Sequence, residues 1–137
     1  MPTTALKDPY VLSVAAVTDP GRSGKHNEDY VGYHVPQEPA ALATYGGLFV
    51  VCDGIGGASA GEFASKLAVH LILSQYFRQP ADDSPLERLV AAIQHANREL
   101  FRRNAANPDE RETGTTVVAA VVLGRHLFVA HAGDSRA

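Results

Sequence analysis

The chain has 137 residues, the size of one ordinary domain, and its hydrophobic fraction of 45% is typical of a globular core. Its formal net charge of −3 makes nucleic acid and an anionic membrane unexpected partners. The single cysteine, Cys52, excludes an intrachain disulfide, and the lack of a membrane-length apolar run or a convincing targeting segment predicts a cytoplasmic location.

Strands and loops are predicted for the N-terminal third of the chain. Residues 1–9 are expected to form a loose start. Apolar and β-branched runs predict strands over residues 10–18, 29–35 and 47–52. A loop is predicted over residues 37–43, with Pro36 and Pro39 nearby.

Two helices are predicted in the middle of the chain. The first is expected to start at Ser59, because Ser59 and Glu62 have the spacing of a capping box. The second is expected to start at Ser84, with Pro85 in its first turn and Glu87 completing another capping box. After each start, apolar residues recur at helical spacing and predict one buried face.

A polar loop is predicted over residues 104–112, and a β-hairpin after it. Strands over 115–123 and 126–132 would be joined by Gly124 and Arg125, a two-residue connection that suits a II′ turn. The first of these strands ends in an unbroken apolar run, which predicts cover on both of its faces. Two packed sheets with helices outside them would provide that cover.

The glycine-rich turn after the third strand is the most informative segment. An apolar strand stops at Asp53, and Gly54, Gly56 and Gly57 follow. A P-loop would need a Gly-Lys-Ser/Thr ending, and a dinucleotide fingerprint would need glycine where Ser59 stands. Asp53 would also repel a bare phosphate unless a cation lay between them. The turn alone leaves two readings open: a site for metal and phosphate, or an ordinary strand-to-helix connection.

Three further motifs accompany this turn in a fixed order. Asn-Glu-Asp stands at 27–29, Gly-Thr-Thr at 114–116 and Gly-Asp-Ser-Arg at 133–136. With Asp-Gly-Ile-Gly-Gly at 53–57, the set resembles the metal-dependent protein phosphatases of the PPM/PP2C family, bacterial branch. All four segments match the family pattern. Carboxylates at strand ends form an oxygen-rich site, which suits Mg²⁺ or Mn²⁺ better than zinc.

The resemblance implies two or three Mn²⁺ or Mg²⁺ ions and assigns roles to five residues. Asp53 matches the aspartate that bridges two ions, and the carbonyl of Gly54 matches a ligand of one of them. Glu28 matches an acid bound to that same ion, often through water. Asp29 matches an acid that does not touch the ions but orients metal-bound water, and Asp134 matches an aspartate linked to a weaker third ion. Asp53, Glu28 and Asp29 are thereby the catalytic candidates.

Two positions depart from the family pattern. Gly24 stands where many members have an arginine that grips the substrate phosphate, so the flanking Arg22 and Lys25 become the phosphate-binding candidates. Ile55 stands where some members have a histidine proposed as a general acid. The family's domain continues past Gly-Asp-Ser-Arg and supplies two more aspartates, so residues 10–137 match the N-terminal portion of that domain.

The resemblance implies an α+β fold: an α-β-β-α sandwich of two mainly antiparallel sheets flanked by helices, incomplete in this chain. It also implies hydrolysis of phosphoserine and phosphothreonine in proteins by a metal-activated water. The partners would be phosphorylated proteins, with the targets of a serine/threonine kinase as candidates. Because two aspartates are missing, little turnover is expected from this stretch alone. The second reading is therefore a truncated or degenerate relative of the same fold that binds or regulates without turnover.

Overall fold

The computed structural model describes residues 10–107, 109 and 113–137, with only the backbone described at Ala58. The loose start predicted for residues 1–9 lies outside the described residues, as does part of the predicted loop over 104–112. The elements, in chain order, are β1 (Asp29–His34), α1 (Pro39–Tyr45), β2 (Gly47–Ile55), α2 (Ala58–Tyr76), α3 (Pro85–Ala106), β3 (Gly114–Thr115), β4 (Val117–Leu123) and β5 (His126–Ala132).

The strands form an antiparallel sheet in the order β1-β2-β4-β5, and the short β3 pairs with the end of β2. The predicted hairpin is confirmed, because Leu123 lies opposite His126. Gly124, between them, has a φ of 60°, a left-handed value that glycine adopts without strain. The sheet therefore has β2 and β4 at its centre. Asp53 lies within β2, two residues before the strand ends at Ile55.

Helix α2 packs on one face of this sheet. Leu48, Val50 and Cys52 alternate along β2 toward that face and are fully buried. Val69 and Ile72 of α2 belong to the same core. The predicted α+β fold class is confirmed, and the described residues hold one helical layer and one antiparallel sheet of the predicted sandwich.

The opposite face of the sheet is apolar and partly open. Val51, Leu127 and Val129 keep 49%, 66% and 41% of their surface exposed. Neighbouring residues of a strand point to opposite faces, so these side chains alternate with the buried ones. The cover predicted for both faces of the strand over 115–123 is more complete on the helix side, where Val117, Ala119 and Val121 are buried. On the other side Ala120 and Val122 are half-buried.

Two predictions for the N-terminal third are wrong. Residues 10–18 are not paired into a sheet within the described chain, and the Tyr10 hydroxyl instead donates to the carbonyl of Leu42 at 3.3 Å. A strand forms only where a neighbouring edge offers hydrogen bonds. Residues 37–43, predicted as a loop, lie mostly in α1. Pro39 starts this helix, because the first turn has no use for the N–H that proline lacks.

The two predicted capping boxes have different outcomes. Ser84 and Glu87 form the full box, with Glu87 N donating to Ser84 Oγ at 3.2 Å and Ser84 N to Glu87 Oε2 at 2.7 Å. Ser59 does not cap α2, which starts one residue earlier without a side-chain cap bond. Glu62 instead pairs with His26, whose Nδ1 lies 3.0 Å from Glu62 Oε2.

Helix α3 continues to Ala106 and so overruns the start of the polar loop predicted from residue 104. Among the described residues, no helix combines the length and the apolar character needed to cross a bilayer.

Candidate metal centre

The antiparallel register brings three of the predicted acids to one end of the sheet. Asp29, at the start of β1, lies directly opposite Asp53 in β2. The amide of Gly54 donates to the carbonyl of Glu28 at 3.0 Å, which continues the same pairing by one residue. Glu28, Asp29 and Asp53 therefore lie side by side because their strands pair, although two sequence motifs contribute them.

Asp134 reaches the same end of the sheet from the loop after β5. Its neighbour Ser135 has its Oγ 2.6 Å from Thr116 Oγ1. Thr116 in turn donates its amide to the carbonyl of Asp53 at 2.9 Å. One residue, Thr116, thus links the loop that carries Asp134 to the strand that carries Asp53.

These carboxylates repel one another. The pKa of Asp53 is raised above its ordinary value, first by burial, then by a hydrogen bond with Asp29 and by the negative charges of Asp29, Asp134 and Glu28. Two carboxyl groups share a hydrogen bond only when one of them is protonated. Repulsion by the neighbouring carboxylates is the part of this shift that depends on charge. A divalent cation would reverse that part of the shift.

Glu28 provides an independent sign that the residues fit a cation. Its Oε1 is buried and has no hydrogen-bond partner among the described residues. It lies against the first turn of α2, where a Cβ on Gly61 would come within 2.8 Å of it. A buried carboxylate oxygen without a partner is destabilising. A hard cation is the class of ligand that such an oxygen accepts, so the donor set fits Mg²⁺ or Mn²⁺.

Glycines allow the backbone to approach these acids closely. A Cβ on Gly54 would overlap the backbone oxygen of Gly61 in α2, so the crossing of strand and helix requires glycine. Gly56 and Gly57 have φ values of 127° and 78°, which side chains rarely tolerate. The turn predicted from the sequence therefore brings the start of α2 against the acidic end of β2.

Side chains alone do not form a complete cage. Across the described ranges, no three histidine, cysteine or acidic side chains are arranged to hold one ion. Mg²⁺ and similar ions also take carbonyl oxygens and keep several waters. Asp53, Glu28, Asp134 and the carbonyl of Gly54 therefore suit a partly hydrated ion.

Sequence reasoning missed the polar residues that hold the acids in place. Asn27 Oδ1 accepts the amide of Asp29 at 3.0 Å, and Asn27 Nδ2 donates to Thr18 Oγ1 at 3.0 Å. An asparagine that accepts the N–H two residues further on is a known turn pattern, so the sequence contained that signal. The pair of His26 and Glu62 joins distant segments and left no local signal.

Arg22 and Lys25 lie in an exposed segment that leads into β1. Gly21 and Gly24 in this segment have φ values of 72° and 68°. Within the described part of the chain, neither cationic side chain forms a hydrogen bond or an ion pair. The structure does not bring either of them into contact with the acids, and both remain available to a phosphate.

A shallow depression of about 240 Å³ opens beside Asp29. Acidic and apolar residues share its lining. The lining residues are Val17, Thr18, Asp19, Asp29, Tyr30, Val31 and Val51.

Comparison with known proteins agrees with this arrangement. The family described as "Protein phosphatase 2C" matches residues 20–137. The serine/threonine phosphatase stp of Listeria monocytogenes is 33% identical over 123 residues, which cover 87% of this chain and 46% of that protein. The serine/threonine protein phosphatase PstP of Mycobacterium tuberculosis is 34% identical over 128 residues, which cover 92% of this chain and 22% of that protein.

Solved structures give the same result. The serine/threonine phosphatase Stp1 from Staphylococcus aureus matches with a TM-score of 0.73 at 32% identity, covering 88% of this chain and 46% of that one. The catalytic domain of PstP in complex with 2 manganese ions matches with a TM-score of 0.63 at 31% identity, covering 84% and 47%. The chain thus spans less than half the length of each of these relatives.

Proposed function

Because this chain belongs to the protein phosphatase 2C family, we propose that it takes part in the hydrolysis of phosphoserine and phosphothreonine in proteins by a metal-activated water. The observation that carries the proposal is the cluster of Glu28, Asp29, Asp53 and Asp134 at one end of the sheet. The names of the relatives support the same reaction, since they are serine/threonine phosphatases.

The proposed metal ligands are Asp53, Glu28, the carbonyl of Gly54, and Asp134. They would hold two or three Mn²⁺ or Mg²⁺ ions, and the relative solved with 2 manganese ions favours Mn²⁺. Such ions, when bound, lower the pKa of water and neutralise the phosphoryl oxygens. Asp53 is expected to contribute most, because it lies opposite Asp29 and the charges of Asp134 and Glu28 also act on it.

Asp29 is proposed to orient the attacking water and to hold its proton at a carboxylate oxygen. Its position is fixed on both sides, since Asn27 accepts its amide and Asp53 lies opposite it. No protein nucleophile is needed. Burial raises the pKa of the nearby Cys52 thiol to about 12, so this thiol stays protonated and unreactive at neutral pH.

Arg22 and Lys25 are proposed to bind the phosphate of the substrate. Both are exposed and lie just before the acidic segment that starts at Glu28. The substrates would be phosphorylated proteins, with the targets of a serine/threonine kinase as candidates. The assignment of residues 10–137 to the N-terminal portion of the family's domain, and the cytoplasmic location, stay predictions.

A second candidate function is a binding or regulatory module without turnover. It is favoured by one observation: in the described ranges, three protein side chains do not converge on a single ion. Weak metal binding would follow from such a site, and turnover could be lost while the fold remains.

Mn²⁺-dependent phosphate release from a phosphothreonine peptide tests the proposal. Asp53→Asn should remove nearly all release, while Asp82→Asn, which changes an exposed acid between α2 and α3, should leave it unchanged. Release that is measurable and equal in both variants would contradict the proposal. A wild-type chain that binds Mn²⁺ but releases no phosphate would favour the second candidate.

A further inference from the structure

Thr116 lies opposite Asp53, at an interruption between two strands of the sheet. It separates β3 from β4, and the pairs Gly54–Thr115 and Val51–Val118 on its two sides put it opposite Asp53. A hydrogen-bonded pair in an antiparallel sheet exchanges two backbone bonds. Only one of them forms here, from Thr116 N to Asp53 O at 2.9 Å.

The second backbone bond is replaced by the side chain of Thr116. The amide of Asp53 donates to Thr116 Oγ1 at 3.1 Å. The carbonyl of Thr116, which would ordinarily accept that amide, lies 2.9 Å from the hydroxyl of Thr115. The single hydrogen of this hydroxyl can go to that carbonyl or to the carbonyl of Asp53 at 3.1 Å. A side-chain oxygen therefore helps to hold the backbone of Asp53, from which the acidic side chain projects.

The same hydroxyl reaches the loop after β5. Thr116 Oγ1 and Ser135 Oγ lie 2.6 Å apart, so one donates to the other. On the methyl side, a Cβ on Gly133 would come within 2.8 Å of Thr116 Cγ2, which shows how closely the loop packs there. Ser135 and Gly133 flank Asp134. The hydroxyl and the methyl of Thr116 thus hold the loop on both sides of that acid.

Burial makes these contacts strong. Thr116 is only 5% exposed, so water does not readily replace a lost partner. A hydroxyl supplies one donor and two acceptor sites, which is enough to accept Asp53 N–H and to bond Ser135 at the same time. Removing it would leave the Asp53 amide without an acceptor.

We infer that Thr116 is a positioning residue whose hydroxyl sets the places of Asp53 and Asp134 relative to each other. Its effect is on metal affinity, through the two acids, and not on the metal directly. The inference rests on the proposed function for the claim that these acids bind Mn²⁺. If Thr116 served the fold alone, its loss would lower stability and leave Mn²⁺ affinity unchanged.

The experiment compares Thr116→Val, which keeps the shape and removes the hydroxyl, with Thr116→Ser, which keeps the hydroxyl. Thr44→Val is the matched control, because the Thr44 hydroxyl donates to the carbonyl of Ala40 in α1, away from the acids.

Mn²⁺ affinity is measured by calorimetry, and the exchange rate of the Asp53 amide is measured by NMR without metal. Thr116→Val should weaken Mn²⁺ binding about 10- to 100-fold, as loss of a residue that orients a ligand typically does. It should also speed Asp53 exchange, whereas Thr116→Ser and Thr44→Val should stay near the wild type.

Equal Mn²⁺ affinity in Thr116→Val and the wild type, or an equal loss in the valine and serine variants, would overturn the inference. Ser135→Ala is the second variant, for use if Thr116→Val does not fold. It removes only the hydrogen bond between Thr116 and the loop after β5, so it should weaken Mn²⁺ binding by a smaller factor. An unchanged Mn²⁺ affinity in Ser135→Ala would overturn the role of Thr116 in positioning Asp134. Phosphate release is not a readout here, so a wild type that binds Mn²⁺ without turnover contradicts the proposed function alone.

Discussion

Asp29 and Asp53 lie directly opposite each other on neighbouring antiparallel strands. Like charges in that position destabilise a sheet, and Asp134 and Glu28 add to the negative charge. A fold retains such a pair readily where a cation or a shared proton compensates it. The pairing therefore connects the stability of the metal-free protein to the proposed site.

Asp53→Asn should make the metal-free protein more stable at neutral pH. The pKa of Asp53 is raised in the folded state, so its contribution to stability is present at low pH and is lost as the pH rises from the ordinary pKa of 3.8 through the raised folded pKa. Asparagine carries no charge and avoids this loss. Urea unfolding in EDTA, followed from pH 4 to pH 8, measures it. If the free energy of unfolding had the same pH dependence in the wild type and in Asp53→Asn, the charge of Asp53 would not destabilise the folded protein. Asp82→Asn is the control.

Gly61→Ala should weaken Mn²⁺ binding without a matching loss of stability. The new Cβ would come within 2.8 Å of Glu28 Oε1, the end of a flexible side chain that can move aside. The same Cβ would lie 3.2 Å from the backbone carbon of Gly54. This tight contact opposes the advantage of about 0.5–1 kcal/mol that alanine has over glycine in a helix, so the melting temperature should change little. Mn²⁺ affinity should fall, because the carboxylate is displaced. Gly114→Ala, whose Cβ meets no described atom within 4 Å, is the control. Unchanged Mn²⁺ affinity in Gly61→Ala would argue against Glu28 as a ligand.

Gly54→Ala should instead damage the fold. Its Cβ would overlap the backbone oxygen of Gly61, and neither strand nor helix can yield as a side chain can. Overpacking of this kind typically costs about 1–3 kcal/mol. The free energy of unfolding from urea titration gives the value. A loss no larger than that of Gly114→Ala would show that α2 does not press on β2 at this point.

Replacing both Arg22 and Lys25 with alanine should raise KM for a phosphothreonine peptide and leave Mn²⁺ affinity unchanged. An exposed ion pair contributes about 1 kcal/mol or less, so KM should rise by up to about fivefold at low salt. Arg125→Ala, in the exposed turn of the hairpin, is the control. If the double variant kept the wild-type KM at low salt, neither residue would bind substrate phosphate.

Local chemistry explains what the sequence predicted well. The α3 capping box needs only Ser84 and Glu87, which are three residues apart and bond each other. The hairpin at Gly124 likewise depends on one turn. The acids could be proposed because short motifs of recognisable order carry them.

Long-range contacts explain what the sequence did not predict. Residues 10–18 have strand-like composition, but they pair with no strand of the described chain, and composition alone cannot say whether a segment finds a partner. The pair of Glu62 and His26 joins separate segments. The Thr116 hydroxyl replaces a backbone acceptor, which can be recognised only when the register opposite Asp53 is known.

A Mn²⁺ titration of the wild type and of Asp53→Asn, followed by the EPR signal of free Mn²⁺, tests the central claim most directly. The acids at the end of the sheet should bind Mn²⁺ in the wild type, and Asp53→Asn should remove nearly all of that binding while Asp82→Asn keeps it. Equal binding by Asp53→Asn and the wild type would contradict the assignment of a metal centre to this end of the sheet.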